Sequence, residues 1–269
     1  RSLALAIEGA FQRIQFTPDL LPADITGTDI YRMEEGKFSF EPGPIFNHFV
    51  LADEINRAPA KVQSALLEAM AERQVSIGRK THALPALFLV MATQNPIEQE
   101  GTYPLPEAQL DRFLMKVCIH YPERSAEKHI LHLARLEAES GKTNQTLTTH
   151  ISQETIFASR REILGLHMHE AVEEYIIQLV LATREPIRYS DTLKNHILYG
   201  VSPRATIALD RTARAQAWLK GRDFVTPEDV QEVIFDVFRH RIGLQFEAQA
   251  HGITTEDVIH QLLKAVPAP

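Results

Sequence analysis

Short apolar runs rich in β-forming residues alternate with helical patterns over the first 120 residues. Strands joined by crossover helices produce this alternation, so the pattern predicts a largely parallel sheet. Between the second and third runs, apolar positions from Val62 to Ala69 recur at helical spacing behind Pro59, which predicts an amphipathic helix. The strand candidates are residues 13–17, 49–52, 87–92 and 113–119.

Two segments interrupt the alternation and predict hairpins that stand off the sheet. Residues 37–40 come just before a Pro-Gly-Pro sequence at 42–44. Residues 74–83 have Gly78 at their centre, where a tight turn needs conformational freedom.

Beyond residue 122 the strand signal fades and helical spacing takes over. A polar stretch over residues 139–153 predicts a loop or linker. The helical segments are 172–183, 203–221, 226–237 and one that starts at Thr254. We therefore expect an α/β core followed by a small helical bundle, divided as core 1–122, last core helix and linker 123–154, and helical domain 155–269.

Composition excludes several classes of protein. The 269 residues are 44% hydrophobic and 23% charged, as in an ordinary folded protein. No apolar run approaches the length of a membrane span and no leader peptide precedes the first strand, so we expect no membrane association. The single cysteine, Cys118, cannot form an internal disulfide, which favours the cytoplasm. We expect Cys118 to be a small buried hydrophobe in its strand.

The net charge of −7 bears on the choice of partner. Proteins that coat nucleic acid depend on a strong positive charge, so we do not expect a nucleic-acid partner, although a local basic groove is compatible with this balance.

The sharpest chemical feature is an apolar strand that delivers two adjacent acids, Asp53 and Glu54, at its carboxyl end. Ligands of open α/β sheets bind at that edge. Because consecutive side chains of a strand point to opposite faces, we expect separate roles: one acid to hold Mg²⁺ and the other to polarise a water. The alternative is a solvated acidic turn.

Three further residues could join that chemistry. Asn95 follows the next strand, and its amide could fix a water, although Asn-Pro is also a common turn. Arg112 precedes an apolar run and could equally pair with Asp111 or a neighbour. Arg204 lies in the first turn of a helix, where the dipole disfavours a cation, which points to an anionic partner.

Taken together and in this order, these residues resemble those of the AAA+ ATPases. The connecting sequence is similar to the MoxR family within that superfamily, and the resemblance covers nearly the whole chain. The segments that carry it are FTPDLLPADITG at 16–27, ADEINRA at 52–58, ATQNPIEQEGTYPL at 92–105 and EAQLDRF at 107–113.

The resemblance implies a P-loop NTPase (AAA+) parallel-sheet domain followed by a small all-α lid, with ATP and Mg²⁺ as cofactors. Asp53 would be the Walker B metal-associated acid, Glu54 the catalytic glutamate and Asn95 the first sensor. Arg112 would be the arginine finger that reaches a neighbouring subunit's nucleotide, and Arg204 the second sensor within its own subunit. A ring, usually a hexamer, follows from the family.

The resemblance assigns the two predicted hairpins as the helix-2 insert and the pre-sensor-1 hairpin, which commonly face the ring's pore or a partner. Arg57 would lie at the subunit interface or form a surface salt bridge.

One expected motif does not occur in the sequence. The phosphate-loop pattern G-x-x-x-x-G-K-[ST] is absent from the 269 residues. Gly141-Lys142-Thr143 lacks the leading glycine and lies in the polar linker, and Lys80-Thr81 does not follow a buried strand. We expect the loop, and the central strand before it, to lie upstream of Arg1.

The sequence therefore predicts an ATP-hydrolysing chaperone of the MoxR type that remodels or matures a protein partner, with a von Willebrand factor A-domain protein as the expected partner. A nucleic-acid or chelatase-type motor is the first alternative. A non-hydrolysing interaction module is the second, if the chain begins at Arg1. An oxidoreductase of the Rossmann type is disfavoured because no G-x-G-x-x-G follows a strand.

Overall fold

The computed structural model describes residues 2–78, 80–95, 101–140 and 150–269. Strands and short helices fill the first part, and helices dominate from residue 124 onward. The elements up to residue 110 are α1 Ser2–Ala6, β1 Phe11–Gln15, α2 Pro22–Thr26, β2 Gly27–Arg32, β3 Lys37–Pro42, β4 Phe49–Asp53, α3 Ala60–Glu72, β5 Gln74–Ile77, β6 Lys80–Ala83, β7 Leu89–Ala92 and α4 Glu107–Leu110.

The second part, called the helical part below, continues the chain. Its elements are α5 Arg124–Ser140, α6 Gln153–Gly165, α7 Glu170–Arg184, α8 Asp191–His196, β8 Ile197–Tyr199, α9 Pro203–Leu219, α10 Pro227–Phe238, β9 Gly243–Leu244, α11 Phe246–Ala250 and α12 Thr255–Ala265. Short 3-10 turns at Pro44–Phe46, Ile55–Arg57 and Pro186–Arg188 complete the described elements.

A parallel sheet in the order β1-β4-β7 forms the centre of the first part, as the sequence predicts. All five residues of β4 pair with β1, from Phe49 opposite Phe11 to Asp53 opposite Gln15. On its other side β4 pairs with β7, from Phe49 opposite Leu89 to Ala52 opposite Ala92. The first strand lies two residues earlier than predicted, and the third starts at Leu89 rather than at residue 87. Apolar side chains of β4 and α3 fill the core between them. The parallel arrangement brings the carboxyl ends of all three strands to one edge.

The fourth predicted strand is wrong: residues 113–119 form no strand. Within the described residues no strand pairs with the second edge of β7, so this extended segment has no neighbour to supply its hydrogen bonds. Its side chains are largely exposed, Ile119 by 94%. Cys118 is exposed as well, so the expectation that it is buried in a strand is also wrong.

Both predicted hairpins are present. β2 pairs antiparallel with β3, and β5 pairs with β6 from Gln74–Ala83 to Ile77–Lys80. Gly78 has a φ of +60°, which suits the turn between β5 and β6. The hairpins touch each other, because the Phe40 ring stacks on His82 with the ring centroids 3.9 Å apart. The two hairpins are therefore in contact with each other.

The helical part has a buried cluster of its own, separate from that of the first part. α10 begins with the capping box that Thr226 and Asp229 predict, and α12 is capped by Thr254 as expected. Of the predicted linker, residues 141–149 lie outside the described residues, and α6 begins at Gln153. The exact domain boundaries stay a prediction.

None of the helices in the described ranges has the length and apolarity that crossing a bilayer requires.

Candidate functional site

The two predicted acids lie where β4 ends, and the backbone turns sharply between them. Asp53 is the last residue of β4, whereas Glu54 has a left-handed conformation with φ 55° and ψ 50°. This conformation is uncommon for a residue with a Cβ atom. The turn sends the two carboxylates to different partners, and their separate roles stay a prediction.

Asp53 is held by residues of both neighbouring strands. The Thr93 hydroxyl donates to its Oδ1 at 2.5 Å, and Arg13 Nε donates to its Oδ2 at 2.9 Å. The hydrogen bond from Thr93, followed by those from Arg13, holds the pKa of Asp53 below its ordinary value. Asp53 is therefore an ionised carboxylate at neutral pH.

Glu54 has a second set of contacts. Gln15 Nε2 donates to its Oε2 at 2.8 Å, and Arg57 Nη1 lies 3.1 Å from the same oxygen. Arg57, expected at an interface or in a surface salt bridge, thus forms an ion pair with Glu54. Among the described residues both contacts are made to Oε2, and together they hold the orientation of the carboxylate.

Thr93 joins the two strand ends, and the sequence analysis assigned it no role. Its hydroxyl donates to Asp53 and accepts from the Glu54 backbone N–H at 2.9 Å. Its carbonyl accepts from the Ile55 N–H, and its N–H donates to the Ala52 carbonyl. A hydroxyl directly after a predicted strand, beside an acidic strand end, was the available signal. We call Asp53, Glu54, Thr93 and Gln15 the acidic edge.

Asn95 follows Thr93 by two residues, at the same edge of the sheet, and is half-buried. Residues 96–100, which include the proline after Asn95, lie outside the described residues.

The two predicted arginines lie together at a different place. Arg112 and Arg204 line a cavity of about 470 Å³ between the sheet and α9. Three further arginines line this arginine cavity, while Asp111 is the one acid among its described lining residues. The full set of charged lining residues is Arg73, Asp111, Arg112, Arg204, Arg211 and Arg241. Five guanidinium groups and one carboxylate make a cavity suited to an anion with several charges.

Arg204 has the anionic partner that its position at a helix start predicts. Its Nη1 lies 3.2 Å from Asp111 Oδ2, which also accepts from the Ser202 hydroxyl at 2.8 Å. Burial opposes ionisation of Asp111, but the hydrogen bonds from Ser202, Arg241 and Arg204 leave its pKa below the ordinary value. Arg112 itself is exposed toward the cavity. The structure therefore groups Arg204 with Arg112 and the two acids with Asn95.

These residues fit a nucleotide with a magnesium ion. Asp53 is an ionised carboxylate. Proteins usually bind Mg²⁺ through one or two carboxylates, and the ion keeps several of its water ligands. The arginines match phosphate oxygens, which guanidinium groups bind in pairs of hydrogen bonds. The backbone cradle for the phosphates is not part of the 269 residues, since the phosphate-loop pattern does not occur in them.

Comparison with known proteins agrees with this arrangement. A profile of the ATPase family associated with various cellular activities (AAA) matches residues 1–115, and a profile of the AAA lid domain matches residues 192–262. The chain is 47% identical over its whole length to the chaperone MoxR1 of Mycobacterium tuberculosis, of which it covers 70%. It is 44% identical to the uncharacterized protein YeaC of Bacillus subtilis, of which it covers 80%.

The fold has a close counterpart among solved structures. The crystal structure of a Cytophaga hutchinsonii protein described as a candidate ATPase superposes with a TM-score of 0.91 at 47% identity. The match covers the whole of this chain and 80% of that one. Residues 192–262 of the helical part are thus an AAA lid domain that follows an AAA+ core along the chain, and the chain belongs to the MoxR family of AAA+ ATPases.

Proposed function

We propose that ATP is hydrolysed at a site completed by two subunits, one contributing the acidic edge and its neighbour the arginine cavity. The observation that carries this proposal is the grouping of the residues: Asp53 and Glu54 lie at the carboxyl end of the sheet, whereas Arg112 faces a cavity with four other arginines. A cation that stabilises the transferring phosphoryl group can be supplied by a second protein chain.

The acidic edge is proposed to supply the metal ligand and the base. Glu54, oriented by Gln15 and Arg57, polarises the attacking water and accepts its proton. Asn95 fixes the same water, because an amide donates and accepts at once. Asp53 would hold Mg²⁺ directly or through water, and the ion would supply charge neutralisation on the phosphates.

Arg112 is proposed as the arginine finger and Arg204 as the second sensor. The Arg204 guanidinium has to leave Asp111 before it can reach a phosphate, so Asp111 is its resting partner. The sequence leads us to expect Arg204 to serve its own subunit's nucleotide. Because Arg204 shares its cavity with Arg112, the structure favours action on the neighbouring subunit's nucleotide instead. The mixing experiment below distinguishes these two assignments of Arg204.

A site completed across a subunit boundary requires an oligomer, and a closed ring gives every subunit the same two neighbours. We propose a hexamer, as the family leads us to expect. Native mass spectrometry with ATP and Mg²⁺ measures the subunit number directly, and a monomer under all nucleotide conditions would contradict the ring.

The energy of hydrolysis is proposed to remodel or mature a protein partner, with a von Willebrand factor A-domain protein as the partner class. The relative MoxR1 is a chaperone, which supports this use. The first hairpin adds exposed apolar side chains, Tyr31, Met33 and Phe38, suited to contact a protein. Adding a purified A-domain protein is expected to change the ATP turnover rate, and Phe38→Ser to weaken that change without altering basal turnover.

We assign the activity to the cytoplasm because the lone cysteine cannot form an internal disulfide. Cell fractionation checks this assignment.

The deciding experiment mixes two inactive variants of the full-length protein, including the phosphate loop expected before Arg1. Glu54→Gln removes the base and keeps Arg112, while Arg112→Ala keeps the base. Each variant alone is expected to lose at least about 100-fold in turnover while retaining ATP binding. Mixed rings contain boundaries at which an intact Glu54 meets an intact Arg112, so turnover is expected to reappear.

Matched controls remove similar groups at exposed positions whose side chains make no hydrogen bond or ion pair with another described residue. Glu247→Gln in α11 and Arg161→Ala in α6 are expected to keep wild-type turnover. Unchanged turnover in Glu54→Gln would overturn the role of the acid, and absence of rescue in stable mixed rings would overturn action across the boundary. In the same format, rescue of Arg204→Ala by Glu54→Gln assigns Arg204 to the neighbour's nucleotide, and no rescue assigns it to its own.

A further inference from the structure

Three consecutive residues after α10 hold the chain segment that carries Arg112. Arg239, His240 and Arg241 lie in the lid, more than 120 residues along the chain from the groups of residues 111–116 that they contact. Their partners are mostly backbone carbonyls of residues 111–116. We call residues 111–114 the Arg112 segment. A contact made to carbonyls fixes the path of the backbone rather than the identity of a side chain.

Arg241 makes most of the hydrogen bonds to the Arg112 segment. Its Nε donates to Asp111 Oδ1 at 2.9 Å, its Nη2 to the carbonyls of Asp111 and Phe113, and its Nη1 to the carbonyls of Leu114 and Val237. All five N–H donors of the guanidinium are therefore used, four of them on the Arg112 segment. The side chain is only 2% exposed, so these bonds also compensate for its burial.

His240 and Arg239 extend the same attachment. His240 Nε2 lies 3.1 Å from the Phe113 carbonyl, and because burial lowers the pKa of His240 to about 4, the neutral ring donates this bond. Arg239 Nη1 donates to the Lys116 carbonyl at 2.6 Å, and the Asp236 carbonyl accepts from the Lys116 N–H at 2.8 Å. The segment is thus attached to the end of α10 on both sides of Phe113.

The side chain of Arg112 has the opposite environment. Its neighbours in the segment are held through their carbonyls, while the Arg112 guanidinium faces the arginine cavity and is exposed. The lid therefore fixes the backbone on either side of Arg112 and leaves its side chain available.

We propose that Arg241, assisted by His240, is a positioning residue for Arg112, so that the lid sets where this arginine meets the nucleotide of the neighbouring subunit. The proposal rests on the proposed function, in which Arg112 acts across the subunit boundary. A movement of α10 would carry the Arg112 segment with it, and closure of one subunit's lid would be felt at the next subunit's site.

The test is Arg241→Lys in the full-length protein. Lysine keeps the charge but has a single donor group, which cannot span the carbonyls that the guanidinium reaches. We expect kcat to fall about 10- to 100-fold with KM for ATP changed less than about 2-fold, since the variant's own acidic edge is intact. Mixing with Glu54→Gln subunits is expected to restore turnover, because those subunits present a correctly held Arg112.

A double-mutant cycle gives the second readout. If Arg241 acts only through Arg112, adding Arg241→Lys to Arg112→Ala lowers kcat no further. Arg222→Lys is the matched control, since Arg222 is another lid arginine paired with a buried acid, Asp229, and is expected to lower Tm without lowering kcat.

Each possible outcome is informative. If Arg112→Ala has wild-type turnover, the proposed function fails. If Arg112→Ala is inactive but Arg241→Lys keeps its kcat, or loses it without rescue by mixing, only the positioning role is overturned. If Arg241→Lys does not fold, two variants of His240 provide the test. His240→Leu removes the hydrogen bond to the Phe113 carbonyl, whereas His240→Gln keeps a donor. A several-fold loss of kcat in His240→Leu that is recovered in His240→Gln supports the proposal, and equal kcat values in the two variants contradict it.

Discussion

Hydrogen bonds hold the residues of both the acidic edge and the arginine cavity, but the partners come from different parts of the chain. Asp53 and Glu54 are held by Thr93, Arg13 and Gln15, all in the core and within about 40 residues. The Arg112 segment is held by lid residues that follow it by about 130 positions. The comparison shows that one half of the proposed site is a property of the sheet, whereas the other depends on how the lid is attached.

The largest expected effect comes from removing the acid that joins core and lid. Asp111→Ala leaves the buried Arg241 without its counter-ion, which we expect to lower the free energy of unfolding by about 3–5 kcal/mol. Urea denaturation followed by circular dichroism measures it. Glu185→Ala, which breaks the exposed pair with Arg188, should cost less than about 0.5 kcal/mol. Equal decreases in the free energy of unfolding in the two variants would contradict the role of Asp111 as the counter-ion of the buried Arg241.

A pH titration tests the lid attachment without removing a charge. The pKa of His240 is lowered from 6.5 to about 4 by burial and by the charges of Arg241 and Lys116, against the opposing charge of Asp111. In this window the unfolded chain binds the proton first, so stability falls as the pH drops from about 6.5 to 4, by about 3 kcal/mol in total. His240→Gln should lose this part of the pH dependence; an unchanged curve would show that His240 does not titrate as described.

At the acidic edge we expect activity to respond more than stability. Thr93→Val removes the hydroxyl shared by Asp53 and the Glu54 N–H, at a cost of about 1 kcal/mol in unfolding and about 10-fold in kcat. Thr192→Val, at an exposed position in α8, is the control with neither effect expected. A large loss of stability with normal turnover would reverse the contrast between the two regions.

The smallest expected effect is that of Arg13→Ala. The Arg13 side chain is 59% exposed, so its pair with Asp53 should contribute less than about 0.5 kcal/mol to stability. Removing it should nevertheless raise the pKa of Asp53 toward its ordinary value, which carboxyl chemical shifts report in an NMR titration. No change in that pKa would leave Thr93 alone responsible for the ionised state.

The hydrophobic pattern and the turn and capping residues were enough to predict the elements that depend on local interactions. The strands at β1, β4 and β7, both hairpins and the capped starts of α10 and α12 follow from alternation, Gly78 and the capping residues. The segment 113–119 has the same apolar character but no neighbouring strand within the described residues, so its pattern predicts a strand that does not form. Pairing is a property of two segments, and one segment's pattern cannot report it.

The residues of the candidate site also fall into those that the sequence predicted and those that it did not. Asp53, Glu54 and Asn95 were predicted because a strand end is visible in the sequence. Thr93 and Arg241 were missed, since a hydroxyl after a strand and an arginine after a helix are ordinary features until the fold brings Asp53 or the Arg112 segment to them. The internal partner of Arg204, Asp111, is 93 residues away and could not be named from the helix start alone.

The left-handed backbone at Glu54 has a consequence for how this position can evolve. A residue with a Cβ atom pays about 1 kcal/mol or more in this conformation, and glycine does not. Glu54→Gly would relieve this strain, but it would also remove the carboxylate and its bonds to Gln15 and Arg57. With the proposed role of Glu54 as the base, glutamate at this position accepts backbone strain for the sake of turnover, and a library of residue-54 variants screened first for folding and then for turnover should separate the two demands.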